Sequence, residues 1–154
     1  MAETTIAGII CFWAALLLYI YVIIQYLEIP FFKGLNQLKR AIPLLIYLIY
    51  FILIMFLLGP NLKEWFSTIA AYALTITFLS FIATIHYLEQ PKNRFRRYFL
   101  IGILLLFLDA SIICYQFFNK DNTIISISVR SIFILAHYLI CLYFIFDHRL
   151  KNIS

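Results

Sequence analysis

Apolar residues in this chain come in long unbroken runs, with no two-residue alternation and few polar interruptions. Uncharged stretches cover Thr4–Leu27, Ala41–Leu62, Trp65–Leu88, Tyr98–Asn119 and Asn122–Phe146; Asp109 interrupts the fourth and Arg130 the fifth. Each run supplies the roughly 20 residues that a helix needs to cross hydrocarbon. Backbone amides in lipid must be bonded within their own segment unless strands close into a barrel, and barrel-type alternation is missing. The pattern predicts an all-α polytopic membrane protein, a bundle of five transmembrane helices. The expected spans are about 5–27, 41–60, 65–88, 98–119 and 123–146, in a single transmembrane domain over 1–154.

Punctuation along the chain fits that reading. Ile29-Pro30 is expected to end the first helix, Gly59-Pro60 the second and Gln90-Pro91 the third. Pro43 falls at the start of the second span, where a missing amide costs little. The longest connection, Glu28–Arg40, carries Gly34 and is expected to lie along the membrane interface. The other loops are short, so consecutive helices should be antiparallel neighbours.

Composition sharpens the choice of solvent. The chain is 65% hydrophobic and 12% charged, against about 25% charged for a soluble domain. Glu3 precedes the first run, no basic segment leads it, and it is too long for a signal peptide, so it reads as a retained helix. Lys33, Lys39 and Arg40 lie in the first loop, Lys92, Arg94, Arg96 and Arg97 in the third, and Arg149 and Lys151 in the tail, which makes nine of twelve basic residues. The positive-inside rule then puts the N-terminus outside and the C-terminus in the cytoplasm of a multi-pass cell-membrane protein. Basic loops of this kind are topology signals beside anionic lipid, so membrane lipid is the expected partner and nucleic acid is not. Cys11, Cys114 and Cys141 stand apart within apolar spans, without a CxxC pair, and read as small packing residues.

The candidate chemistry gathers around two charges. An ionisable group in hydrocarbon costs roughly 2.5–3.5 kcal/mol, so Asp109 and Arg130 must be paired, hydrated or used. Positions seven apart differ by only about 20° around a helix. Asp109, Gln116 and Gly102 therefore share one face of the fourth helix; Arg130 and His137 share one face of the fifth, with Cys141 beside them. Both faces are expected to turn towards each other or the bundle interior. Counting from the outer ends, Asp109 lies roughly 15 Å deep and Arg130 roughly 12 Å, with His137 roughly 10 Å further in. Two readings stay open: a structural Asp109–Arg130 ion pair that docks two helices, or a polar pocket. In the pocket Asp109 acts as acid or base with His137 in reach, and Arg130 binds an anionic group such as lipid phosphate.

Other polar positions take plainer readings. Thr77, Ser80 and Thr84 lie on one face of the third helix, as at a close helix–helix contact. His86 reads as an interfacial residue near a helix end, and Trp65, Tyr98 and Tyr143 as interfacial aromatics. No HExxH, GxSxG or phosphate-binding glycine loop occurs, so a zinc protease, serine hydrolase or nucleotide-driven pump has no support, and no metal or cofactor is expected.

Three segments carry a family resemblance. They are Thr68–Ile76 around Tyr72, Leu106–Phe117 around Asp109, and Phe133–Ile140 around His137, with Gly59-Pro60-Asn61-Leu62 upstream as a connecting loop. In these the chain resembles the YhhN-like lysoplasmalogenases over about two-thirds of its length. The resemblance implies an intramembrane site that hydrolyses the vinyl-ether bond of a lysolipid without metal. Asp109 and His137 would be its catalytic residues, and Arg130, Gln116 and Tyr72 its substrate-binding residues. Leu108 stands where the family motif has serine, and His137 where it has glutamine. The resemblance begins at the second helix, so the early helices that carry the family's second aspartate are expected to be missing. The alternative function is a non-catalytic membrane component, in which Asp109–Arg130 is structural and the chain docks a protein partner or a second copy.

Overall fold

The computed structural model describes residues 2–26, 37–62, 66–89, 91–118 and 123–151; side chains near several helix ends, including all of 113–130, lie outside that description. All of these residues except 91–93 are helical. The helices are α1 (Ala2–Tyr26), α2 (Gln37–Leu62), α3 (Phe66–Glu89), α4 (Arg94–Phe118) and α5 (Thr123–Lys151). The all-α class and the five helices are those the apolar runs lead one to expect.

Helix ends differ from the expected spans for identifiable reasons. α4 begins at Arg94 rather than near 98, because Asn93 Oδ1 accepts the Phe95 N–H at 2.9 Å and caps the first turn. α5 runs past Phe146 to Lys151, since a helix does not stop where its apolar stretch does. α2 begins at Gln37 rather than 41, so Lys39 and Arg40 are helical and Pro43 falls in its second turn, and it continues through Gly59-Pro60 to Leu62. α3 ends at Glu89, ahead of the turn at Pro91-Lys92, as Gln90-Pro91 indicated. Ile29-Pro30, Gly34 and Trp65 lie outside the described residues.

Packing groups the chain into two compact units, Met1–Leu79 and Ser80–Ser154, so α3 contributes its first part to one and its second part to the other. In the first unit, Leu16 and Ile23 of α1 are buried, as are Ile69, Tyr72, Ile76 and Leu79 of α3. Both sets recur at helical spacing and form inward stripes. Trp13 Nε1 donates to Thr75 Oγ1 at 2.9 Å, tying α1 to α3, and the Thr75 hydroxyl in turn donates to the Ala71 carbonyl. α2 instead presents Ile42, Leu45, Ile46, Ile49, Leu53 and Phe56 outward, with Phe56 80% exposed.

The second unit is built on the antiparallel pairing of α4 with α5, the most extensive helix pairing described. Phe95 stacks on Phe146 with ring centroids 5.2 Å apart, and Phe99 packs on Tyr143 at 4.7 Å. Further along, Gly102 meets the turn from Ala136 to Ile140. Phe99, Ile103, Leu106 and Ala110 of α4, with Ala136, Ile140 and Tyr143 of α5, are buried.

By length and composition α3 is the one helix, among the described residues, that is long and apolar enough to cross a membrane. Trp13–Ile23, Ala41–Leu57 and Ser131–Phe146 form shorter apolar helical segments.

Candidate functional site

Asp109 sits inside the second unit at 1% exposure, the one acidic side chain buried among the described residues. Its place follows from the α4 stripe. Gly102, two turns earlier on the same face, has no side chain, and α5 comes so close that an added Cβ would lie 3.0 Å from the Ala136 carbonyl oxygen. That close approach draws the whole face inward, carboxylate included. Asp109 Oδ1 is buried and accepts no hydrogen bond among the described residues. A buried oxygen without a donor forfeits about 1–3 kcal/mol, more when the group is charged, so an arrangement of this kind needs an explanation.

The antiparallel register shows what lies level with it. Continuing from Gly102 against Ala136–Ile140, seven residues further along α4 correspond to about seven residues back along α5. Asp109 therefore stands level with the α5 turn near Ser131, which includes backbone position 130. The side chains of Arg130 and Gln116 lie outside the described residues. His137 falls about 9 Å nearer the Gly102 end by the same rise. It is half-buried; its Nδ1–H donates to its own helix at the Phe133 carbonyl, 2.9 Å away, and its ring packs against Phe133. Tyr72 is 4% exposed and belongs to the Met1–Leu79 unit.

The expectation that both polar faces turn inward holds for Gly102 and Asp109 on α4 but not for Cys141 on α5, which is exposed. The α5 face packed on α4 is the apolar stripe of Ala136, Ile140 and Tyr143, and Cys141 lies off it. Cys11 is exposed as well, so neither thiol fills the core as expected. Each shares its face with other outward residues, Leu18 and Tyr21 for Cys11, Ile134 and Tyr138 for Cys141. Cys114 lies outside the described side chains.

A second polar cluster, unforeseen in the sequence, lies at the other end of this unit. His86 is buried at 7% exposure rather than interfacial, and its Nε2 shares a 2.8 Å hydrogen bond with the hydroxyl of Tyr143, itself buried at 1%. Phe99 packs edge-on against the imidazole. Arg96 Nη1 donates to the His86 carbonyl at 2.9 Å and stands 3.5 Å from Glu89 Oε2, so α4 grips the end of α3. The signal was periodicity: His86 extends the buried stripe of Leu79 and Ala83, and Tyr143 extends that of Ala136 and Ile140. Thr77 and Ser80 are buried and Thr84 half-buried, with the Thr77 and Thr84 hydroxyls donating to the carbonyls of Ala73 and Ser80 on their own helix. Among the described residues, no three His, Cys, Asp or Glu side chains gather as a metal site.

These features define a class: a chain whose described residues are almost all helical, apolar on much of their outside, with a carboxylate shut into the packing of α4 and α5. The chain belongs to the YhhN family, whose family model matches residues 1–144. No curated protein and no solved structure matches it.

Proposed function

We propose that this chain is a five-span integral membrane protein that binds a lysolipid at Asp109 and hydrolyses its vinyl-ether bond, as the resemblance to lysoplasmalogenases within the YhhN family implies. One observation carries the reading: a fully enclosed carboxylate whose Oδ1 has no donor among the described residues, set among the buried hydrophobic side chains of α4 and α5. Structural carboxylates in such places are satisfied, whereas a catalytic one is kept open for its substrate. The many outward leucines and isoleucines of α2, with Phe56, support lipid as the solvent. The basic bias of the first and third loops and the tail supports an outside N-terminus and a cytoplasmic C-terminus.

Vinyl-ether hydrolysis needs a proton delivered to carbon and water delivered to the cation that results. Asp109 donates its proton to the outer alkene carbon, leaving an oxocarbenium ion beside the carboxylate. Water adds to that cation and returns a proton to Asp109, and the hemiacetal splits into aldehyde and free glycerol hydroxyl. One water is consumed and the carboxyl is regenerated. Arg130, on the turn level with Asp109, binds the lysolipid phosphate, and Gln116 completes the substrate contacts. His137 assists water from the inner side. Purified protein incubated with a lysoplasmalogen should release long-chain aldehyde, and the ester-linked lysolipid should yield none. Absence of aldehyde above a protein-free control removes the hydrolase assignment.

The close α4–α5 contact at Gly102 favours a second reading, in which Asp109 and Arg130 form an ion pair that docks these helices in a non-catalytic membrane component. A protein partner or second copy would then be the functional ligand.

A further inference from the structure

We infer that the outward face of α4 binds one anionic phospholipid, with Arg94 and Arg97 holding its phosphate and Ile101, Leu104 and Leu108 supporting an acyl chain. The five residues succeed one another at spacings of three and four, so they lie along a single helix face. All five are exposed. The nearby Arg96 is excluded from the stripe, being engaged with the His86 carbonyl and Glu89. The fold thus uses one arginine of this segment for packing and leaves two facing outward. Lys92, also exposed in the preceding turn, adds a third positive charge at the same end.

Charge and length together choose the occupant. Two guanidinium groups one turn apart suit the oxygens of a phosphodiester, and the stripe carries no acidic residue to oppose one. From Arg97 to Leu108 the stripe runs about 16 Å, close to the roughly 15 Å of hydrocarbon in one leaflet. A soluble anion would use the arginines and ignore the apolar part. A partner helix would use the apolar part and need acidic groups opposite both arginines. A phospholipid meets both demands at once. The inference rests on the membrane part of the proposed function and is independent of hydrolysis. Arg97 lies about 18 Å along α4 from Asp109, further than a lysolipid's phosphate stands from its vinyl-ether bond, so the lipid bound here is not the substrate.

The test uses the full chain purified in detergent, with phosphatidylglycerol or phosphatidylcholine of matched acyl chains added and bound lipid counted by native mass spectrometry. Wild type should retain phosphatidylglycerol preferentially. The Arg94→Gln/Arg97→Gln variant should bind it about twenty-five-fold more weakly, from roughly five-fold per guanidinium. Lys39→Gln/Arg40→Gln, in the first turn of α2, should keep the preference, and helix content by circular dichroism verifies that each variant is folded. Equal retention of both lipids by wild type, an unchanged preference in the α4 variant, or a change in oligomeric state in that variant overturns the proposal. The last result would assign the stripe to a second copy. Carbonate extraction separates the two levels: release into the soluble fraction defeats the membrane reading itself, whereas a membrane-retained protein without lipid preference defeats only the stripe.

Discussion

Gly102→Ala probes most directly how the fold holds Asp109 inside. A Cβ at this position would lie 2.8 Å from Ile140 Cγ1, 3.0 Å from the Ala136 carbonyl oxygen and 3.3 Å from Leu139 Cβ. Ordinary carbon contacts fall at about 3.5–4.0 Å, so the first is short by about 0.7 Å. Ile140 is fully buried and has little room to turn, while the carbonyl and the Leu139 Cβ are fixed to the α5 backbone. The helices must part. Overpacking of this kind costs about 1–3 kcal/mol, offset by the roughly 0.5–1 kcal/mol by which alanine favours a helix over glycine. A net loss of up to about 2.5 kcal/mol is expected, read as a lower unfolding midpoint of the purified protein at fixed detergent and lipid. Gly59→Ala is the internal control, because its Cβ would meet only the edge of the Phe66 ring at 3.4 Å. That change should stay within about 1 kcal/mol of wild type, the helix preference of alanine being offset by crowding against Pro60. If Gly102→Ala proves as stable as Gly59→Ala, the close approach of α4 and α5 is wrong.

Tyr143→Phe removes the hydroxyl that bonds buried His86 and should cost about 1–3 kcal/mol, measured by the same thermal assay, with no loss if the bond is absent. Trp13→Phe deletes the α1–α3 hydrogen bond to Thr75 and should cost about 0.5–1.5 kcal/mol; an unchanged midpoint would count against that contact. Arg130→Gln should raise KM for the lysolipid while changing stability by less than about 1 kcal/mol. A loss nearer 3–5 kcal/mol, coupled to Asp109→Asn in a double-mutant cycle, would instead identify a structural ion pair.

Much of the fold was legible because it rests on apolar run length, which sets helix number directly. The buried α4 face could also be read from residues seven apart, Gly102 and Asp109. Faces on α5 were harder. Polar identity suggested that the face of His137 and Cys141 turns inward, yet packing follows the apolar stripe of Ala136, Ile140 and Tyr143, and Cys141 is exposed. An apolar thiol has no strong preference for the interior when its neighbours outside are apolar too. His86 and Tyr143 were misread because proximity to a helix end suggested an interface, while Arg96 reaches back from the next helix to enclose that end. Interhelical hydrogen bonds such as Trp13–Thr75 leave no mark in the sequence, since they depend on helix rotation.

The most direct measurement compares wild type and Asp109→Asn side by side for aldehyde release from lysoplasmalogen, each first shown by elution volume and helix content to be folded. The account predicts steady release by the wild type and none by the folded variant, because the amide cannot supply the proton that the alkene carbon needs. Turnover by Asp109→Asn at the wild-type rate would contradict it.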